Sequence, residues 1–134
     1  MKTLNYSYTT PEEAIASLER AYTNNDLEGV FNSKDFIEEA KLILEQAKYD
    51  YDLSDEELLE ATAELLQLGL TQSIQENGFP DFSNLRVEHS GLQEFREGIY
   101  VINEKITYPD DTIWETRIFL SCKNDVWKVV TIEE

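Results

Sequence analysis

The chain has 134 residues, with 28 Asp/Glu against 11 Lys/Arg, one His and one Cys, for a formal net charge of −17. That length suits one domain, 1–134, with a single core, and 41% hydrophobic residues supply enough apolar surface to fold it. One Cys excludes an internal disulfide, one His excludes a Cys/His zinc site, and unclustered Lys/Arg argues against nucleic acid or an anionic membrane as partner.

No apolar run reaches signal-peptide or membrane-spanning length, so the expectation is a cytoplasmic domain without a cofactor. Residues 1–83 hold 18 acids and 5 bases, net −13, and are rich in Ala, Leu and Glu; residues 84–134 hold 10 acids and 6 bases, net −4, and are rich in Val, Ile, Thr and aromatics. Helices first and a sheet second follow from that shift.

Thr10-Pro11-Glu12-Glu13 combines a capping hydroxyl, a proline at the first helical position and a Glu three residues after the cap, and so opens a helix. Its apolar face is Ala14, Ile15, Leu18, Ala21 and Tyr22. A polar break, Thr23-Asn24-Asn25-Asp26, precedes a short helical turn at Leu27–Phe31. Ser33 is expected to cap a third helix with the stripe Phe36, Ile37, Ala40, Ile43, Leu44 and Ala47. Ser54-Asp55-Glu56-Glu57 reads as a capping box for the longest helix, with the stripe Leu58, Leu59, Thr62, Leu65, Leu66, Gly69, Leu70 and Ile74. Asn77-Gly78 and then Pro80 stop it.

The second half reads as an antiparallel meander. Leu85–His89 is a weak strand that Gln93–Phe95 extends past Gly91; Ile99–Tyr108, Thr112–Cys122 and Val126–Ile132 are strong ones. A three-residue loop, Pro109-Asp110-Asp111, sets Ile106 opposite Trp114, Ile102 opposite Ile118 and Tyr100 opposite Leu120 on one face. Lys105 then opposes Glu115, and Val101 opposes Phe119, on the other. A two-residue turn at Asn124-Asp125 puts Cys122 opposite Trp127 and Leu120 opposite Val129. The fold class is α+β: N-terminal helices packed on a curved antiparallel sheet.

The stretch Pro11–Tyr22, followed by Asn24-Asn25-Asp26-Leu27-Glu28-Gly29-Val30, resembles the opening of nuclear transport factor 2-like domains, and Asp125–Ile132 resembles their last strand with its Trp after a turn. The resemblance implies a cone whose mouth holds a small molecule. Its members include ketosteroid isomerases, scytalone dehydratases, polyketide cyclases and non-catalytic binders, among them small acidic bacterial immunity proteins that block a toxin. The family strand between the second and third helices has no counterpart in the residues from Phe31 to Ser54.

Asp50-Tyr51-Asp52-Leu53-Ser54 begins like a calcium loop, but the sixth position is Asp55 and the twelfth Ala61, where Gly and a bidentate Glu are required. It reads as a polar connection instead. His89 is the single His, so His-pair and His-triad mechanisms need another subunit. A dyad of His89 with Glu88 or Glu104 stays open; Glu104 shares the apolar face with Tyr100, Ile102, Ile106 and Tyr108, where a carboxyl has a raised pKa and can shuttle a proton, with Tyr100 or Tyr108 as oxyanion donor. The competing reading sets Glu104 at an open rim or against Arg86 or Arg96. Trp114, Tyr100 and Glu104 are the pocket candidates. Cys122, beside Leu120 and Ile118 on that face, reads as a buried inert thiol.

Asp35–Glu64 carries 11 acids and 2 Lys, net −9. This is either a solvated helical face or a surface for a basic protein such as a toxin, with Tyr49, Asp50, Tyr51, Asp52, Asp55, Glu56 and Glu60 as contacts. Val101, Phe119, Val130 and Ile132 alternate onto the sheet face away from Leu120; left uncovered, they would form a homodimer interface. A helix, or the Leu4-Tyr6-Tyr8 arm, is the competing cover. The leading function is a non-catalytic immunity protein that blocks a basic toxin. The alternative is a small-molecule cone with isomerase- or dehydratase-type acid–base chemistry.

Overall fold

The computed structural model describes residues 6–47 and 49–133. Four helices, α1 (Pro11–Thr23), α2 (Leu27–Ser33), α3 (Phe36–Glu45) and α4 (Glu56–Asn77), precede four strands. These are β1 (Arg86–Arg96), β2 (Ile99–Thr107), β3 (Ile113–Lys123) and β4 (Val126–Glu133), in one antiparallel sheet of order β1-β2-β3-β4.

The helix starts are set by side-chain oxygens that accept otherwise unpaired backbone N–H groups. Thr10 accepts from the Glu13 N–H (3.1 Å), Asp26 from Gly29 (3.0 Å), Asp35 from Glu38 (3.1 Å) and Asp55 from Leu58 (3.2 Å). Two caps differ from expectation. Ser33 is the last residue of α2, and its hydroxyl donates to the Gly29 carbonyl (2.8 Å) while meeting the Tyr8 hydroxyl (2.9 Å). Ser54 donates from its hydroxyl to Asp52 (2.6 Å), which leaves the next residue, Asp55, as the cap.

The hairpins follow side-chain parity. Ile106 faces Trp114, Ile102 faces Ile118, Val101 faces Phe119, Cys122 faces Trp127 and Leu120 faces Val129. Asn124 (φ 53°) and Asp125 (φ 63°) form the two-residue turn in the left-handed conformation that matches strand twist. β1 is continuous across Gly91 through a register shift between Ser90 and Gln93. Cys122 is half-buried rather than buried.

α1 supplies Ala14, Ile15, Leu18 and Ala21 to the main core, against Ile102, Ile118, Leu120 and Val129 of the inner sheet face. The chain then crosses the open edge of β4. The Asp35 N–H donates to the Val129 carbonyl (2.8 Å), and the Trp127 N–H donates to the Tyr8 carbonyl (2.9 Å). A single parallel bridge, Lys34 to Val129, is the only β pairing among the described residues between Phe31 and Ser54.

Beyond the crossing, α3 lies on the outer face, where Leu42 packs on Ile99, Phe119 and Val130. The apolar patch expected there is therefore closed: Phe119 is buried, and Val130 is fully so. Tyr6 and Tyr8 pack on the inner core instead, and Leu4 lies outside the described residues. Ile132 does not alternate with Phe119 and Val130 as expected. Val130 is an extra residue in β4, so Phe119 pairs with Thr131 and Ile132 is turned inward opposite Ile118. α4 packs on α3 through Leu59, Leu58 and Leu66, while Leu65 and Gly69, counted in its apolar stripe, face solvent. Among the described residues no helix is long and apolar enough to cross a membrane.

Candidate functional site

Three strands and α1 build the site. His89 on β1 pairs with Glu104 on β2, and Glu104 pairs with Thr116 on β3, so three polar side chains form a row across the inner face. His89 Nε2 lies 2.8 Å from Glu104 Oε2. Glu104 is only 3% exposed. From above, Glu19 of α1 hydrogen-bonds Glu104, and burial, then that bond, then the neighbouring charge push the Glu19 pKa up to about 9. Glu19 is thereby held protonated well above the ordinary carboxyl range. Thr116 is buried as well, and its Oγ1 has no hydrogen-bond partner.

Beside this row is a cavity of about 200 Å3 between α1 and the sheet. Glu19, Glu104 and Thr116 are its polar lining. Its apolar walls include Ile15, Leu18, Ile106 and Ile118, and its aromatic ones are Tyr22, Phe82, Tyr108 and Trp114. Tyr22 and Phe82 stack at 6.2 Å. Trp114 and Tyr108 are partly exposed and mark the side open to solvent. Ile132 reaches this wall only because of the extra residue at Val130.

Of the pocket candidates, Glu104 and Trp114 line the cavity, whereas Tyr100 packs against Trp127, with ring centroids 4.9 Å apart and the rings tilted by 57°, and takes no part. Tyr108 lines it; His89 touches Glu104 from the edge strand. Neither Arg86 nor Arg96 pairs with Glu104, and Arg96 bonds Glu45 on the outer side. Glu19 escaped the sequence reading, although Ile15, Glu19 and Tyr22 sit at i, i+4 and i+7 on one helix face, a spacing that put a carboxyl among the apolar residues. Among the described residues no three His, Cys, Asp or Glu side chains are placed to hold a metal ion.

A larger open groove, about 630 Å3, runs between α3, α4 and the β3–β4 hairpin. Its lysines are already engaged: Lys34 with Glu39 (3.4 Å), Lys123 with Asp35 (3.3 Å) and Glu38 (3.0 Å), and Lys128 with the Asn32 carbonyl.

Of the acidic candidates only Glu60 lines this groove. Tyr49 and Tyr51 are exposed, with rings 6.4 Å apart, and Asp50, Asp52, Asp55, Glu56 and Glu60 are exposed along the same connection and the start of α4. Asp52 and Asp55 have structural duties there, holding Ser54 and capping α4.

No family model matches the sequence, and no curated protein matches it. Among solved structures, the chain is similar to a Campylobacter jejuni protein provisionally described as an NTF2-like transpeptidase. The likeness has a TM-score of 0.49 and 17% identity, and covers 90% of this chain and 97% of that one.

Proposed function

We propose that the chain binds a small, largely apolar molecule in the α1–sheet cavity, with the molecule's polar end against Glu104. The carrying observation is the buried row His89–Glu104–Thr116 under Glu19, with the Thr116 hydroxyl unpartnered inside an otherwise apolar wall. Buried hydroxyls almost always find partners, so an orphan lining a cavity supports a site that a ligand completes. Titratable groups drawn together in such a cleft are the usual mark of a functional site. The proton that burial holds on Glu19, beside Glu104, could be exchanged with the bound molecule, the chemistry of an isomerase or dehydratase.

The test is a thermal-shift screen with ring-sized aromatic compounds on the wild type and on Glu104→Gln. A binder at a hundredfold its Kd raises wild-type stability by about 2.7 kcal/mol. The variant is expected to lose most of that shift. Equal shifts in both proteins would remove Glu104 from the site.

A second reading rests on the exposed Tyr49–Tyr51 pair among acids. It makes the α3–α4 connection a docking surface for a basic protein partner, as in a cytoplasmic immunity protein that covers a toxin's cleft.

A further inference from the structure

We infer that the polar end accepted by this cavity is a protonated amine: the ligand is a small arylalkylammonium ion. The inference rests on the cavity reading and adds the charge and donor count of the ligand. Two carboxyls, Glu19 from α1 and Glu104 from β2, and the Thr116 hydroxyl from β3 line the cavity, and no Lys or Arg does. His89, the nearest group able to carry positive charge, is not part of the lining and is committed to Glu104 Oε2. A carboxylate or phosphate ligand would meet like charge in a low-dielectric setting.

Bond strength separates an amine from a carbonyl compound. A carbonyl would accept only from neutral donors, the Thr116 and tyrosine hydroxyls or the Trp114 N–H, whereas an ammonium group makes charge-assisted bonds to carboxyl oxygens. An ammonium group brings three N–H donors, which match the three acceptors Glu19, Glu104 and Thr116 Oγ1. Its arrival also balances in charge. The ammonium ion takes the place of the proton on Glu19, which leaves to solvent, so the occupied cavity carries the charge of the empty one. Tyr22, Tyr108 and His89 are the other titratable groups on or against this wall.

The volume fixes the rest of the ligand. A cavity of roughly 150 Å3 lined by Leu, Ile and Phe holds one benzene ring. The cavity here, about 200 Å3, takes a ring with a short chain. Tyr22, Phe82, Tyr108 and Trp114 favour an aromatic ring over an aliphatic one and add cation–π attraction for the ammonium group.

Isothermal titration of the full chain with 2-phenylethylamine, 2-phenylethanol and phenylacetate at pH 7 tests this. The amine is expected to bind at least tenfold more tightly than the alcohol of the same shape, and phenylacetate not at all. Titrations in buffers of different ionisation heat should show nearly one proton released per amine bound. Glu19→Gln, which copies the neutral acid in shape, should abolish that release. Thr116→Val should weaken the amine several-fold more than the alcohol. Alcohol binding as tight as the amine, or amine binding without proton release, overturns the ammonium assignment and leaves the cavity reading standing. Binding of none of the three overturns both.

Discussion

Glu19 holds a proton at pH values where an exposed Glu has lost it, because burial and the neighbouring Glu104 both disfavour a second charge. The consequence for stability has a definite sign. The folded pKa, about 9, lies above the ordinary 4.5, so the unfolded chain releases this proton first. The contribution is intact below about pH 4.5 and is lost progressively as pH rises towards 9, with a slope of up to ~1.4 kcal/mol per pH unit. Glu19→Gln removes the ionisation and keeps the shape. Urea titrations across pH 5–9 should therefore show wild-type stability falling relative to the variant; parallel curves would mean that Glu19 is ionised throughout. This residue also shows what a sequence conceals. Glu104 was legible as an inward carboxylate because strands alternate strictly, whereas Glu19 lies on a helix whose apolar face blurs over neighbouring positions.

Among the elements, α3 depends on a single residue at the β4 edge. Asp35 caps the helix, donates its N–H to Val129, and accepts from Ser121 Oγ (2.7 Å) with Lys123 Nζ nearby. Asp35→Ala removes the cap and leaves the buried Ser121 hydroxyl without its acceptor, for an expected loss of about 2–3 kcal/mol. Asp35→Asn, which retains an acceptor oxygen, should cost less than half of that in the same denaturant titration. The β3–β4 turn offers the opposite case. Asp125 sits at φ 63°, where Gly is unstrained, so Asp125→Gly is expected to stabilise by ~0.5–1 kcal/mol and raise Tm by about 2–4 °C. Turn chemistry and parity made both strong hairpins readable in advance. The bulge at Val130 was not readable, because an inserted apolar residue in an apolar strand changes no local pattern. That one residue moved Ile132 from an imagined interface to the cavity wall.

For the whole molecule, a charge of −17 concentrated on the helical half gives a long-range field that draws in cations, whether a protein surface or an amine. The two readings separate by mutation. Asp50 and Glu60 are exposed, and neither caps a helix, unlike Asp55. The double variant Asp50→Lys/Glu60→Lys should keep its Tm within about 2 °C, since surface changes away from such features rarely exceed ~0.5 kcal/mol. If a basic protein docks there, capture of that partner at low salt should fall at least tenfold while amine binding in the cavity changes little. Undiminished capture would remove the acidic surface from the function. Composition alone had indicated helices before sheet, yet not that the helices would divide between the two sheet faces. That division depends on the crossing at Lys34-Asp35, and no compositional signal marks it.

The same crossing constrains how the molecule is made. β4 leaves the ribosome after every other element, yet it supplies the backbone partners that hold Tyr8 and Asp35 in place. Until then α3 and α4 can pack on each other through Ala40, Leu44 and Leu59, but α1 and α3 lack the β4 side of their sheet contacts. During that interval its high negative charge keeps nascent chains apart.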